Sequence, residues 1–101
     1  MDYTFHQLKI FLTVARLKSI TNASKELYLT QPAVSIQLKK FQDQFEMPLT
    51  EVIGRQLYLT DFGNEVVGIS KNILEEAEAL QSITSKYKGL VTGKINIVEV
   101  K

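Results

Sequence analysis

Few side chains in this sequence have the types and spacing that catalysis or metal binding needs. The 101 residues include no cysteine, which excludes disulfides, thiolate nucleophiles and cysteine-ligated zinc. The one histidine, His6, falls in the first turn of a predicted helix, and we expect neither metal binding nor acid–base catalysis from it. Glu75, Glu76 and Glu78 could suggest a cation site, but a solvated helix face explains them better. We therefore predict that the chain is not an enzyme and uses neither a metal nor a cofactor.

The composition is an ordinary soluble mixture. Hydrophobic residues make up 45% and charged residues 23%, and no apolar run approaches the roughly 20 residues that span a bilayer. The N-terminus has no basic region ahead of an apolar stretch, so we predict a cytoplasmic protein without a membrane partner. The net charge of +1 does not indicate a nucleic-acid partner, although residues 1–50 carry six basic and four acidic side chains.

Capping residues and hydrophobic periodicity predict two helices at the start of the chain. Thr4 and Gln7 have the spacing of a capping box, which predicts a helix over about 5–17. Thr21 is expected to cap a second, shorter helix that ends near Tyr28.

A third helix is predicted to begin at Gln31 and Pro32, with Thr30 as its cap, because proline suits a first helical turn. Its predicted buried stripe consists of Val34, Leu38, Phe41 and Phe45. The opposite face, predicted to be exposed, carries Pro32, Ile36, Lys39 and Asp43.

A small hairpin is predicted next, because Pro48 and Gly54 punctuate two short segments rich in β-forming residues, 51–53 and 56–59. Three short helices followed by a hairpin make a winged helix-turn-helix, which we predict over residues 1–60. In this mainly helical fold, the third helix enters the major groove of DNA and the wing reaches the adjacent backbone or minor groove.

A long helix is predicted over 61–88, with Thr60 as its cap and Gly89 as its stop. At 1.5 Å per residue it would extend roughly 42 Å, too far for a domain of this size to cover, so part of it must find another partner. Residues 94–100 read as a β-strand without a companion. We therefore predict that 89–101 begin a truncated ligand-binding domain or form a tail.

The apolar residues of this long helix recur with a four-three alternation, which predicts a dimer seam. Glu76 occupies one position where the pattern expects an apolar residue. Phe62 begins this alternation. The predicted dimer seam consists of Val66, Ile69, Ile73, Leu80, Ile83 and Tyr87.

Two stretches, SITNASKEL at 19–27 and TQPAVSIQLK at 30–39, resemble the signature of LysR-type transcriptional regulators of bacteria. Similar residues in the wing and at the start of the linker helix are Pro48-Leu49, Gly54-Arg55, Leu57, Leu59-Thr60 and Gly63. GKINI at 93–97 resembles the start of the family's ligand-binding domain.

The resemblance implies a sequence-specific DNA-binding transcription regulator. It would bind a partly palindromic operator in double-stranded DNA as a homodimer, with the two linker helices packed antiparallel. The full-length protein would respond to a small-molecule effector bound outside this chain, with a tetramer as an alternative assembly.

The resemblance also implies which residues contact DNA. They are Gln31, Pro32 and Ser35 at the start of the third helix, and Arg55 in the wing. Helical geometry adds Thr21 and Thr30 at helix N-termini, and Ile36 and Lys39 on the exposed face of the third helix, as further residues expected to contact DNA. A glutamine amide can donate and accept at a base edge, and a serine hydroxyl can serve a base or a phosphate. Threonine at a helix N-terminus suits a phosphate oxygen, and a wing arginine suits a narrow minor groove.

Two positions in the wing depart from the family pattern. Thr50 stands where a Phe is common and Val52 where an Arg is common, so one hydrophobic anchor and one cation are missing. The sequence alone also leaves open a helical protein-interaction module that does not bind DNA. An enzyme fragment is disfavoured, because no nucleophile–base pair or cofactor loop is present.

Overall fold

The computed structural model describes residues 2–95, with side chains as far as residue 89. In chain order the elements are α1 (Phe5–Leu17), α2 (Ile20–Leu27), α3 (Gln31–Asp43), β1 (Thr50–Ile53), β2 (Gln56–Leu59) and α4 (Asp61–Ile95). The two strands form one antiparallel hairpin. The predicted fold class, a winged helix-turn-helix followed by a long helix, is therefore confirmed.

Capping side chains set where α1 and α3 begin. Thr4 Oγ1 accepts a hydrogen bond from Gln7 N at 3.0 Å, and Gln7 Oε1 accepts one from Thr4 N at 3.3 Å. The capping box is therefore confirmed. Thr30 Oγ1 accepts from Ala33 N at 3.2 Å, which confirms Thr30 as the cap of α3.

The prediction that Thr21 caps α2 is wrong, because Ser19 is the cap. Ser19 has an extended backbone, and its Oγ accepts a hydrogen bond from Asn22 N at 3.0 Å. The physical reason lies in the preceding turn. Lys18 ends α1 in the left-handed conformation, so Ser19 is the first extended residue and α2 can begin directly after it. Thr21 consequently lies inside the first turn of α2.

One hydrophobic core joins α1, α2 and α3 to the base of the hairpin. Its fully buried side chains include Ile10, Phe11, Val14, Ala23, Val34, Phe41 and Leu49. The predicted buried stripe of α3 is confirmed for Val34, Leu38 and Phe41. Phe45 lies beyond the end of α3, where its ring stacks on Tyr3 at a centroid distance of 5.0 Å. The aromatic stripe therefore continues past the helix into the segment that leads to the wing.

A side chain of α3 fixes the base of the hairpin. Gln42 Oε1 accepts hydrogen bonds from Leu49 N at 3.0 Å, Thr50 N at 3.2 Å and Thr50 Oγ1 at 3.3 Å. On the other side of the hairpin, Thr60 Oγ1 donates to Pro48 O at 2.8 Å. Hydrogen bonds at position 50 therefore take the place of a hydrophobic anchor, and the wing is held against α3.

The start of α4 packs closely on the segment before the hairpin. Thr60 Oγ1 accepts a hydrogen bond from Gly63 N at 2.9 Å, which confirms the predicted cap. A Cβ atom on Gly63 would lie 2.0 Å from Leu49 O. Only glycine allows so close an approach of the two backbones.

The end predicted for α4 is wrong, because the helix continues through Gly89 to Ile95. A glycine inside a helix costs about 1 kcal/mol relative to alanine, and it stops the helix only where it supplies a left-handed turn. The backbone of Gly89 remains helical. Lys94 and Ile95, predicted to begin a strand, are helical as well, and the rest of that predicted strand, 96–100, lies outside the described residues.

Candidate nucleic-acid interface

The exposed face of α3 carries five of the residues predicted to contact DNA. We call it the reading face, and it consists of Gln31, Pro32, Ser35, Ile36 and Lys39, all of which are exposed. These residues point to solvent because the opposite side of α3 is anchored in the core. The face combines amide, hydroxyl, apolar and cationic groups, which are the types that match base edges, thymine methyl groups and phosphates.

Two threonines lie at helix N-termini, Thr30 directly before the reading face and Thr21 in the first turn of α2. Thr30 Oγ1 accepts the capping hydrogen bond from Ala33 N, so its hydroxyl proton can still be donated outward. Thr21 is exposed, and its hydroxyl is not needed for the cap of α2 because Ser19 supplies it. Each threonine also lies at the positive end of a helix dipole. The hydroxyl donor and the dipole both favour an anion such as a phosphate.

Lys39 already has a partner on its own helix. Its Nζ lies 3.0 Å from Asp43 Oδ2 and 3.3 Å from Asp43 Oδ1, and both side chains are largely exposed. An exposed pair at this spacing contributes about 0.3–0.5 kcal/mol, so a phosphate could replace Asp43 at small cost. Asp43 nevertheless reduces the positive potential that Lys39 offers to an approaching anion.

The wing presents Arg55 at its tip. Arg55 is exposed in the turn between β1 and β2, beside Gly54, whose φ of 68° lies in the left-handed region that favours glycine. The neighbouring strand residues Val52 and Ile53 are apolar and 67% and 61% exposed. The wing therefore offers one arginine beside an apolar strand. A cation at position 52, in place of Val52, would make the wing more positively charged.

Two residues that shape this surface, Ser19 and Gln42, are not among those predicted from the sequence. Ser19 caps α2, and Gln42 ties the wing to α3. Tyr28, near which α2 is predicted to end, does end the helix in a left-handed conformation, with its side chain 94% exposed. Only Ser19 gave a signal, as a hydroxyl residue just before a helical period. The role of Gln42 depends on a contact with residues seven and eight positions later, which no local pattern indicates.

Beyond its first turns, α4 carries an apolar stripe that is open to solvent. This α4 stripe consists of Ile69, Ile73, Leu80, Ile83 and Tyr87, all classed among the exposed large hydrophobic residues. Val66, also predicted for the seam, is half-buried and packs with Phe62 against the core of its own domain. Glu76 is exposed. The first turn of the predicted seam therefore packs against its own domain, whereas the remaining seam residues are exposed.

Other kinds of site find little support in the described part of the chain. Within residues 2–95, no group of histidine and acidic side chains is arranged to hold a metal ion. No helix in that range is both long and apolar enough to cross a membrane. An open groove between α1 and α4 is lined in part by Phe5, Leu74 and Leu80, and Leu80 connects it with the α4 stripe.

Residues 5–64 match the model of the bacterial regulatory helix-turn-helix proteins of the lysR family. The match covers α1, α2, α3, the hairpin and the first turn of α4, and it includes every residue predicted to contact DNA. The chain belongs to the lysR family. The resemblance noted in the sequence is therefore confirmed.

Curated relatives of this lysR-family chain are transcriptional regulators. The HTH-type transcriptional activator CmpR of Synechocystis is 40% identical over 97 residues, which are 96% of this chain and 32% of CmpR. The RuBisCO operon transcriptional regulator of Allochromatium vinosum is 36% identical over 97 residues, again 96% of this chain and 32% of the relative. The chain therefore spans about a third of the length of these relatives. Their function agrees with the prediction that the chain is not an enzyme.

Solved structures share the fold of this lysR-family chain. The CbnR DBD–DNA complex aligns with a TM-score of 0.80 and 27% identity, over 85% of this chain and 99% of that one. Oxidised OxyR of Corynebacterium glutamicum aligns with a TM-score of 0.81 and 27% identity, over 88% of this chain and 27% of OxyR. The shared part includes most of α4 as well as the winged domain.

Proposed function

We propose that this chain is the sequence-specific DNA-binding part of a cytoplasmic transcription regulator. The observation that carries the proposal is the reading face, an exposed row of mixed chemistry on a helix whose other side is locked into the core. This row lies inside the segment that matches the lysR family. Relatives named as transcriptional regulators, and a related structure named as a DNA complex, support the same conclusion.

The proposed mechanism places α3 in the major groove. The Gln31 amide would donate and accept hydrogen bonds at a base edge, because it is exposed in the first turn of α3. Pro32 and Ile36 offer apolar surface to thymine methyl groups, and Ser35 can hydrogen-bond to a base or a phosphate. These residues would supply sequence discrimination.

Affinity would come mainly from contacts with the DNA backbone. Thr21 and Thr30 would bind phosphates at helix N-termini, and Lys39 would exchange Asp43 for a phosphate. Arg55 at the tip of the wing would enter the minor groove. Such contacts set the position of the protein on the duplex without reading its sequence.

Two copies would join through the α4 stripe and present two reading faces to a partly palindromic operator. The support for this step is the row of apolar side chains that α4 leaves exposed within the described range. The rest of the regulator, beyond this chain, would bind a small-molecule effector, and tetramers are an alternative for the full-length protein.

Selection of bound duplexes from random DNA with the 101-residue chain tests the proposal. We expect enrichment of a two-fold related sequence whose half-sites lie about 10–10.5 base pairs apart, or a multiple of that distance. Affinity for the selected site should fall steeply between about 50 and 200 mM salt, because bound cations release counterions from DNA.

The alternative function is a helical module that binds another protein and not DNA. It predicts no enriched sequence and a weak, unselective affinity for every duplex. That outcome would overturn the proposed function, whereas enrichment of one asymmetric half-site would support DNA reading and contradict the dimer.

A further inference from the structure

One side chain of α3, that of Gln42, holds the start of the hairpin. We propose that Gln42 is a positioning residue for DNA binding, whose side-chain oxygen fixes the wing relative to the reading face. Arg55 would thereby be held where it reaches the minor groove while α3 occupies the major groove. The inference rests on the proposed function and adds to it a residue outside the predicted DNA contacts. It is carried by three hydrogen bonds that converge on Gln42 Oε1.

Strand β1, all of which the structure describes, has no buried side chain to hold it against the domain. Its residues 51–53 are exposed, and Thr50 is half-buried. In β2, by contrast, Leu57 is buried in the hydrophobic core. The hydrophobic attachment of the wing therefore lies in β2, and the hydrogen bonds to Gln42 fix the start of β1.

The three donors restrain the direction of the chain as well as its distance from α3. Leu49 N, Thr50 N and Thr50 Oγ1 lie 3.0, 3.2 and 3.3 Å from Gln42 Oε1. Two of them are successive backbone N–H groups, and a hydrogen bond weakens steeply when such a group turns away from its acceptor. Gln42 lies in the last turn of α3, so the restraint acts on the helix that carries the reading face.

The same segment is bound through its carbonyl groups by the cap of α4. Thr60 N donates to Leu49 O at 3.0 Å, and Thr60 Oγ1 donates to Pro48 O at 2.8 Å. The base of the hairpin is thus bound to α3 by its N–H groups and to the start of α4 by its carbonyl groups. Loss of the Gln42 acceptor would leave it attached to α4 but free to shift relative to the reading face.

Such a shift matters because DNA presents its two grooves at a fixed separation. The reading face is proposed to enter the major groove, and Arg55 the adjacent minor groove. A wing that is already held at the required separation loses less conformational freedom on binding than one that must first be ordered. The contribution of Arg55 to affinity should therefore depend on Gln42, and a double-mutant cycle measures that dependence.

The cycle compares the effect of Arg55→Ala with and without the Gln42 acceptor. In the otherwise unmodified chain, Arg55→Ala should weaken binding to the selected operator roughly tenfold, because a hydrogen-bonded charged contact is lost. Gln42→Met keeps the length of the side chain but removes the acceptor, and there Arg55→Ala should weaken binding only about two- to threefold. A mere loss of stability in Gln42→Met lowers both affinities by the same factor and leaves their ratio unchanged.

Gln44→Met is the matched control, because Gln44 is hydrogen-bonded to Asp2 and Lys40 instead of the wing. In that background the roughly tenfold effect of Arg55→Ala should persist. Gln42→Glu should also preserve it, because a carboxylate oxygen can accept the same hydrogen bonds. Thr50→Val removes only the hydroxyl donor, and its intermediate ratio tests the inference even where Gln42→Met does not fold.

An equal effect of Arg55→Ala with Gln42 and in the Gln42→Met background would overturn the inference. A reduced effect in the Gln44→Met background would overturn it too, because the loss would not depend on the hydrogen bonds to the wing. A chain that selects no operator contradicts the proposed function, whereas operator binding with an unchanged ratio contradicts only the role of Gln42. No effect of Arg55→Ala in the unmodified chain contradicts the wing contact, and the role of Gln42 with it.

Discussion

The winged domain and the second half of α4 place their apolar side chains in opposite surroundings. Phe11 and Phe41 in the winged domain are fully buried by residues of the same chain, whereas Leu80 and Ile83 in α4 are 66% and 58% exposed. Burying a leucine or isoleucine side chain contributes about 1.5–3 kcal/mol, so the stripe holds unused binding free energy. The comparison teaches that one chain is enough to shape the reading face, while presenting two such faces requires a second chain.

The largest effect is expected from a substitution in the winged domain, whose core is complete within one chain. Gly63→Ala should lower the free energy of unfolding by about 3 kcal/mol, because its Cβ would collide with the Leu49 carbonyl oxygen. Urea denaturation at a fixed chain concentration measures this change.

Gly68→Ala is the matched control, since a Cβ there meets nothing within 4 Å. It should leave the stability unchanged or raise it by up to about 1 kcal/mol, because alanine favours the helix. Equal stability of the Gly63→Ala and Gly68→Ala variants would contradict the tight contact between α4 and the segment before the wing.

Ile83→Asp tests the other region, the exposed α4 stripe. Burying an unpaired carboxylate in the stripe should weaken the dimer by roughly a hundredfold, or about 2.7 kcal/mol. Sedimentation should therefore show monomers at concentrations where the unmodified chain is dimeric. Unfolding of the winged domain should not change, because Ile83 is exposed and far from the core.

Ser82→Asp introduces the same charge one residue away, at an exposed position on another side of α4. It should leave the dimer intact. Dissociation by both variants alike would mean that charge, and not the stripe, governs association.

The same contrast explains which features could be predicted from the sequence. Caps such as Thr4 and Thr30 act on backbone groups within three residues, so their patterns are local and the predictions were correct. The stripe of α3 is also local, because helical geometry alone places Val34 and Leu38 on one face.

Other features depend on contacts that the sequence does not display. Gln42 meets the wing only after the chain has turned back on α3, and Val66 packs against the core of its own domain because α4 begins against the winged domain. The prediction that α4 ends before Gly89 was wrong for a different reason. Glycine permits a stop but does not impose one, and Gly89 lacks the left-handed conformation that a stop requires.

The reading face itself can be tested by comparing two of its residues. Gln31→Ala should reduce discrimination at one base position by about 1–3 kcal/mol, whereas Lys39→Ala should weaken binding to all duplexes by similar amounts. Competition between the selected operator, its single-base variants and random DNA measures both effects. Equal losses on operator and random DNA for Gln31→Ala would contradict its proposed role at a base edge.

The smallest expected effect distinguishes two hydroxyl groups two residues apart. Ser19→Ala should lower the free energy of unfolding by about 1 kcal/mol, because it leaves Asn22 N without its capping acceptor. Thr21→Ala should barely change stability but should weaken binding to all duplexes, because the exposed Thr21 hydroxyl is free to reach a phosphate. A loss of stability from Thr21→Ala as large as that from Ser19→Ala would mean that Thr21 serves the helix and not the DNA.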